Sequence, residues 1–204
     1  MPDQGPLETG PCPFCDVAAL RTLLLQSPNF IVIGDFAPIA AAHLLLIPRE
    51  HYPHLAAVPP DLEQEFEGLK RQLRDFVEGH YGSVLFWENG VFGQSVPHAH
   101  LHAVSISLDT SLFADAGPAF SGLADLRRLH AREPRHYFTL EQGGVTRYLP
   151  PDPQLYVRII HHGQSVSPHW LPNREERRRR GSAVFEALRE RWESHFGVTQ
   201  LGAG

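Results

Sequence analysis

Apolar residues along this chain change spacing from segment to segment. Phe30-Ile31-Val32-Ile33 and Leu44 to Ile47 are short, largely β-branched or aliphatic runs, which read as strands. Between Asp61 and Gly79 the spacing becomes three and four. There Leu62, Phe66, Leu69, Leu73, Phe76 and Val77 form one stripe of a helix, with Pro60 and Asp61 at its start and Gly82 ending the turn after it. Val84-Leu85-Phe86-Trp87 is a further strand, followed by Asn89-Gly90, a common hairpin signal. The next strand runs from His98 to about Ile106, and an apolar segment from Val17 to Leu25 reads as helical.

Beyond this point the pattern loosens. Asp109 to Gly122 reads as a loop, Tyr137–Leu140 and Val145–Leu149 as a hairpin around Gly143-Gly144, and Arg174–Phe196 as a helix. Asn173 and Glu176 resemble a capping box for that helix, and Phe185, Leu188 and Trp192 supply its apolar face. The fold class predicted is α+β, an antiparallel sheet with a long helix, because strands and helices do not alternate regularly. Gly93-Gln-Ser-Val-Pro-His98 and Gly163-Gln-Ser-Val-Ser-Pro-His169 are a near-repeat. No longer period accompanies it, so a duplicated site is not expected.

Composition narrows the choices. The 204 residues suit one domain, or one domain with a substantial addition. No stretch approaches the roughly 20 apolar residues of a membrane span. Met1 to Pro13 is polar and rich in proline and glycine, so it does not read as a signal peptide, and the expected compartment is the cytoplasm. A formal charge of −5 argues against general attraction to DNA or RNA. The basic run Arg174 to Arg180 is interleaved with Glu175 and Glu176 and reads as a solvated face. Cys12 and Cys15 form a lone C-x-x-C, which in a reducing compartment is a metal clip or a redox pair rather than a structural disulfide.

The chemistry lies in His98-Ala99-His100-Leu101-His102-Ala103-Val104. Alternate residues of a strand face one side, so three imidazoles share a face while Ala99, Leu101 and Ala103 face the core. On its own the triplet fits a surface cluster, a metal site or a reactive centre. Its flanks separate these readings. Cys12-Pro-Phe-Cys15, the eight-residue step from Asp35 to His43, His43-Leu-Leu-Leu-Ile-Pro48-Arg-Glu-His51 and Gly93-Gln94-Ser95-Val96 all precede it. In that order the parts resemble the histidine triad (HIT) superfamily and its bacterial, Hint-like branch, over about residues 12 to 107.

The resemblance implies a HIT domain over 1–115 and a C-terminal α/β extension over 116–204, packed on it. It makes His100 the nucleophile towards the α-phosphorus of a nucleotide, forming a nucleotidyl-histidine that water then opens. A neutral imidazole suits that role without an added base. His102 and His43 would orient it and offset phosphate charge, with His98 completing the catalytic histidines. Gln94, Ser95 and Asn89 match phosphate-side positions, although the loop from Asn89 to Gln94 is shorter than in the Hint-like branch. Asp35 matches the acid that accepts from the ribose hydroxyls. Ile33 and Phe36 either sandwich the base or pack the core. Cys12, Cys15, His51 and His98 match the ligands of a structural zinc; the alternative is two free thiols with a supporting histidine.

The expected function is hydrolysis of a purine nucleotide, whether dinucleoside polyphosphate, adenylate or phosphoramidate. His102 favours hydrolysis, because transferase and phosphorylase branches commonly replace it. The alternatives are a nucleotidyltransferase or phosphorylase, and a non-catalytic nucleotide-binding module. Neither nucleic acid nor membrane is an expected partner. A homodimer is common among small family members, and the extension could cover the same surface. Pro97, which removes a backbone donor ahead of His98, departs from the family pattern. Tyr137, His169 and Trp170 match no functional motif; they either reach the site or pack the extension, and packing is the expectation.

Overall fold

A computed structural model describes residues 12–109, 111, 113, 116–151, 153, 154, 157 and 174–197. Eight strands among them form one sheet in the order β1-β2-β3-β5-β4-β7-β8-β6, each neighbouring pair antiparallel. The strands are β1 (Leu23–Gln26), β2 (Phe30–Gly34), β3 (His43–Pro48), β4 (Leu85–Glu88), β5 (Leu101–Val104), β6 (Ala119–Phe120), β7 (Phe138–Gln142) and β8 (Val145–Leu149). The helices are α1 (Glu63–Tyr81), α2 (Gly122–Arg132) and α3 (Arg174–Phe196).

The stripe expected of α1 is the one it buries. Phe66, Leu69, Leu73, Phe76 and Val77 pack with Leu44, Leu46, Phe86, Leu101 and Ala103 on one face of the sheet. Each such side chain contributes about 1.5–3 kcal/mol from leaving water. Gly82 ends the helix at φ 96°, a conformation that favours glycine. The other face carries two apolar clusters. One gathers Phe14, Ile31, Ile33, Leu45, Ile47 and Val96; the other includes Leu85, Trp87, Val104, Phe138 and Leu140.

The sheet does not stop with the segment that carries the histidines. β7 takes the free side of β4, pairing Phe86 with Glu141, Trp87 with Leu140 and Glu88 with Thr139. Glu141 is buried but satisfied by Lys70, Arg74 and Thr146, which ties α1 to the β7–β8 hairpin. The C-terminal helix packs through Phe185, Leu188 and Trp192. Gly34 and Gly181 permit that docking. A Cβ on Gly34 would lie 2.5 Å from Phe185 Cδ2, and one on Gly181 would lie 2.9 Å from the Phe36 carbonyl oxygen.

Four local expectations change. Val17–Leu25 is not one helix but a 3-10 turn at Val17–Ala19 followed by β1, because Leu23 and Leu25 find backbone partners in Ile33 and Val32. Asn89-Gly90 turns the chain, but within a longer connection that runs to His100. The ladder of β5 begins at Leu101, not His98. The stretch 109–122 contains β6, and α2 follows it, a helix whose short apolar pattern (Leu123, Leu126) gave little signal. Asn173 and the second copy of the near-repeat, with His169 and Trp170, lie outside the described residues.

Candidate active site and metal centre

Ala99, Leu101 and Ala103 turn into the core beneath α1, so His98, His100 and His102 share the opposite face. The ring of His100 stands edge-on to His102, with centroids 4.8 Å apart, and Phe14 closes on both His98 and His100. His43, first residue of β3, enters the same face from the neighbouring strand.

Hydrogen bonding assigns a proton to each ring. His100 Nδ1 lies 2.6 Å from the carbonyl oxygen of His98 and donates to it, which leaves the lone pair on Nε2. The amide of Ile39 donates to His43 Nδ1 at 3.4 Å, so His43 Nε2 carries the proton and donates to His102 Nδ1 at 2.9 Å. His102 then has its proton on Nε2. Asp35 Oδ1 accepts from the Ala37 amide at 2.6 Å, and Oδ2 stands 3.6 Å from His43 Nε2. Asp35, His43 and His102 are close enough to hold an ion. The His43 Nε2 proton goes to His102 instead, and Asp35 Oδ2 stands beyond hydrogen-bond distance. The indole of Trp87, cross-strand partner of His102, stacks on it at 4.5 Å and 13°.

Burial keeps His100 and His102 neutral. It lowers His100, against the opposing effects of the His98 carbonyl and Asp35, and it pushes His102 well below the usual imidazole value, with His100 and His43 adding to the effect. A neutral His100 with its lone pair on Nε2 is what nucleophilic attack requires.

His98 faces a different task. Its Nε2 donates to the Pro48 carbonyl at 2.8 Å, while Nδ1 lies 3.4 Å from Cys12 Sγ and 3.6 Å from Cys15 Sγ. His51 Nδ1 lies 3.3 Å from Cys15 Sγ, and the four ligand atoms fall within 4.8 Å of one another. A tetrahedral ion with Zn–S and Zn–N lengths near 2.3 and 2.05 Å sets its sulfur and nitrogen ligands about 3.5 Å apart, so the spacing fits. The bond to Pro48 orients the ring, as outer partners of metal-bound imidazoles do. Burial pushes His98 down to about 4, which keeps it neutral. Both His98 nitrogens thus face partners, Nε2 the Pro48 carbonyl and Nδ1 the two cysteine sulfurs.

The remaining predicted residues lie on the connection from β4 to β5. Asn89 is buried and Gln94 partly so. Among the described residues, Asn89 Oδ1 and both polar atoms of the Gln94 amide meet no hydrogen-bond partner. Ser95 is exposed on the same connection. Phe36 packs partly buried beside Ile33, with the Arg178 guanidinium 5.7 Å from its ring centroid. Three contributors carry no mark in the sequence, namely Phe14 within the C-x-x-C, Trp87 and the buried Glu88, whose partner Tyr137 the sequence marks only for packing. Trp87 becomes visible only once β4 is paired with β5 in register.

Residues 19–107 match the HIT domain family. An uncharacterized HIT-like protein of Chlamydia trachomatis is 36% identical over 85 residues, which cover 39% of this chain and 75% of that one. The chain belongs to the HIT family. A second uncharacterized HIT-like protein, from Chlamydia muridarum, is 38% identical over 85 residues, and the match spans 66% of its length. Among solved structures, a HIT family hydrolase from Legionella pneumophila aligns with a TM-score of 0.38 and 26% identity, covering 46% of this chain and 91% of that one. The HIT match ends at residue 107, so β6, β7, β8, α2 and α3 all lie beyond it. No described helix is long and apolar enough to cross a membrane.

Proposed function

We propose that this HIT protein is a nucleotide hydrolase that works through a nucleotidyl-histidine on His100 Nε2. The observation that carries the reading is the 2.6 Å bond from His100 Nδ1 to the His98 carbonyl, which leaves the lone pair of a neutral imidazole on the other nitrogen. Nε2 forms a bond to the α-phosphorus as the bond to the leaving oxygen or nitrogen breaks, and the leaving group departs with that electron pair. Water then attacks the same phosphorus, the P–N bond breaks, and a nucleoside monophosphate is released. His102, with its proton on Nε2, donates to the phosphoryl group, and His43 holds it in that tautomer. The Gln94 amide nitrogen lacks a partner among the described residues and Ser95 adds a hydroxyl, so a phosphate would accept from both. The unpartnered Asn89 Oδ1 and Gln94 Oε1 are acceptors and call for a donor such as a substrate hydroxyl.

Asp35 keeps Oδ2 at a long 3.6 Å from His43, leaving it able to accept from ribose hydroxyls of a purine nucleotide. Cys12, Cys15, His51 and His98 hold a structural zinc, which pins the segment around Cys12 to the residue two places before the nucleophile.

The test is His100→Ala assayed against a panel of nucleotides in labelled water, with products read by mass spectrometry. Wild type should place one labelled oxygen in the nucleoside monophosphate, and the variant should lose at least about a thousandfold in turnover while its melting temperature is retained. A nucleotidyl adduct of the acceptor in place of the monophosphate would point to transfer, and a monophosphate free of label would place the water's attack on the leaving-group side rather than at the α-phosphorus. Near-normal single turnover by His100→Ala would end the covalent reading.

A further inference from the structure

The connection from β4 to β5 carries Asn89, Gln94 and Ser95, yet among the described residues little of its own bonding shapes it. The Phe92 amide donates to the Asn89 carbonyl at 2.7 Å and the His98 amide to the Val96 carbonyl at 2.8 Å. Its turn is also strained. Gly90 sits at φ 48° and Val91 at φ 77°, and a β-branched residue in the left-handed region persists only where surrounding structure holds it there.

What surrounds that turn is Tyr137, which immediately precedes β7 in the extension. Val91 bridges to Tyr137 in parallel, opposite in sense to the antiparallel pairing of β4 with β7. Gly90 lies flat against the same residue: a Cβ there would stand 2.5 Å from the Tyr137 carbonyl oxygen and 2.7 Å from its ring Cδ2. The tyrosine is itself immobilised. It is fully buried, its hydroxyl donates to Glu88 Oε2 at 2.8 Å and accepts from the Ala56 amide at 3.1 Å, and its ring stacks on Tyr148. Glu88 is the residue from which the connection departs, and it also accepts from the Leu55 amide at 2.6 Å.

We infer that Tyr137, outside the HIT match, is a positioning residue that clamps the Gly90–Val91 turn and so sets the loop bearing Asn89, Gln94 and Ser95. The extension thereby completes the substrate side of the site. That the loop binds phosphate rests on the function proposed above; that it depends on Tyr137 does not.

Hydrogen exchange read by mass spectrometry on the full chain, combined with kinetics, tests this. In Tyr137→Ala, exchange across 89–97 should rise by about tenfold or more while β2 and β3 keep wild-type protection. KM for the nucleotide should rise about tenfold with kcat changed less than about threefold. Tyr137→Phe keeps the ring and the backbone bridge and should restore most of the loop's protection. If Tyr137→Ala fails to fold, Gly90→Ala, which pushes the turn off Tyr137 without emptying the core, has to give the same signature. Unchanged exchange across 89–97, or equal acceleration throughout the sheet, overturns the inference. A wild-type protein inactive on every nucleotide would sink the proposed function instead, and the exchange result would still decide the role of Tyr137.

Discussion

Trp87 lies flat on His102, the two rings 4.5 Å apart and 13° from parallel, each on the strand neighbouring the other's. The indole fills the space behind the imidazole and fixes its plane. Trp87 Nε1 is buried without a partner among the described residues, so the tryptophan is held by packing alone. Trp87→Ala should cost about 3–5 kcal/mol of stability through the cavity it leaves. Trp87→Phe, which keeps a stacking ring, should recover most of the turnover that Trp87→Leu loses. Equal activity of the Phe and Leu variants, measured above their melting thresholds, would remove stacking from the account.

Two groups on the other side of β4, the half-buried His54 and the buried Glu88, give stability opposite pH trends. Burial, then His130 and His136, push His54 down to about 4 from 6.5, so its contribution is complete above pH 6.5 and is lost as pH falls towards 4. Burial pushes Glu88 up to about 7 from 4.5; its contribution is complete below 4.5 and is lost as pH rises through 7. Between pH 7 and 5, acid therefore weakens the fold through His54 and strengthens it through Glu88. Melting temperatures across that range should fall more steeply in Glu88→Gln than in wild type, and less steeply in His54→Gln. Three parallel profiles would show that neither group titrates as buried.

Zinc removal should act on the fold first. A chelator, or Cys12→Ser or His51→Ala, releases the segment around Cys12 from His98 and should lower the melting temperature by several degrees, with about one zinc per wild-type chain by elemental analysis. The nucleotide preference should change far less than the melting point. A protein purified without chelators that has reduced cysteines and no zinc would refute the assignment.

Cutting the chain after residue 115 strips β7 from β4. The backbone of Phe86, Trp87 and Glu88 then forms an open edge, and the Glu88 carboxylate loses its tyrosine. Exposed edges of this kind pair with other chains. Fragment 1–115 should elute as an associated or aggregated species on size exclusion, where the full chain does not. A monodisperse, fully active fragment would make the extension a separable appendage.

Local pattern alone specified much of this protein. The stripe from Phe66 to Val77, the runs at Phe30 and Leu44, and the alternation of His98, His100 and His102 each follow from spacing, because a helix or strand imposes its period on whichever side chains must be buried. Cys12, Cys15, His51 and His98 came together in the sequence only through the family resemblance, and the fold brings their ligand atoms within 4.8 Å of one another. What no local pattern contains is which strand lies beside which. Trp87 meets His102 only through the β4–β5 register, and Tyr137 meets Gly90 only because β7 takes the side of β4 that the matched region leaves open. Tautomers were equally hidden. They are set by single contacts between distant segments, such as His43 with His102, and those contacts exist only once long-range packing has closed the sheet.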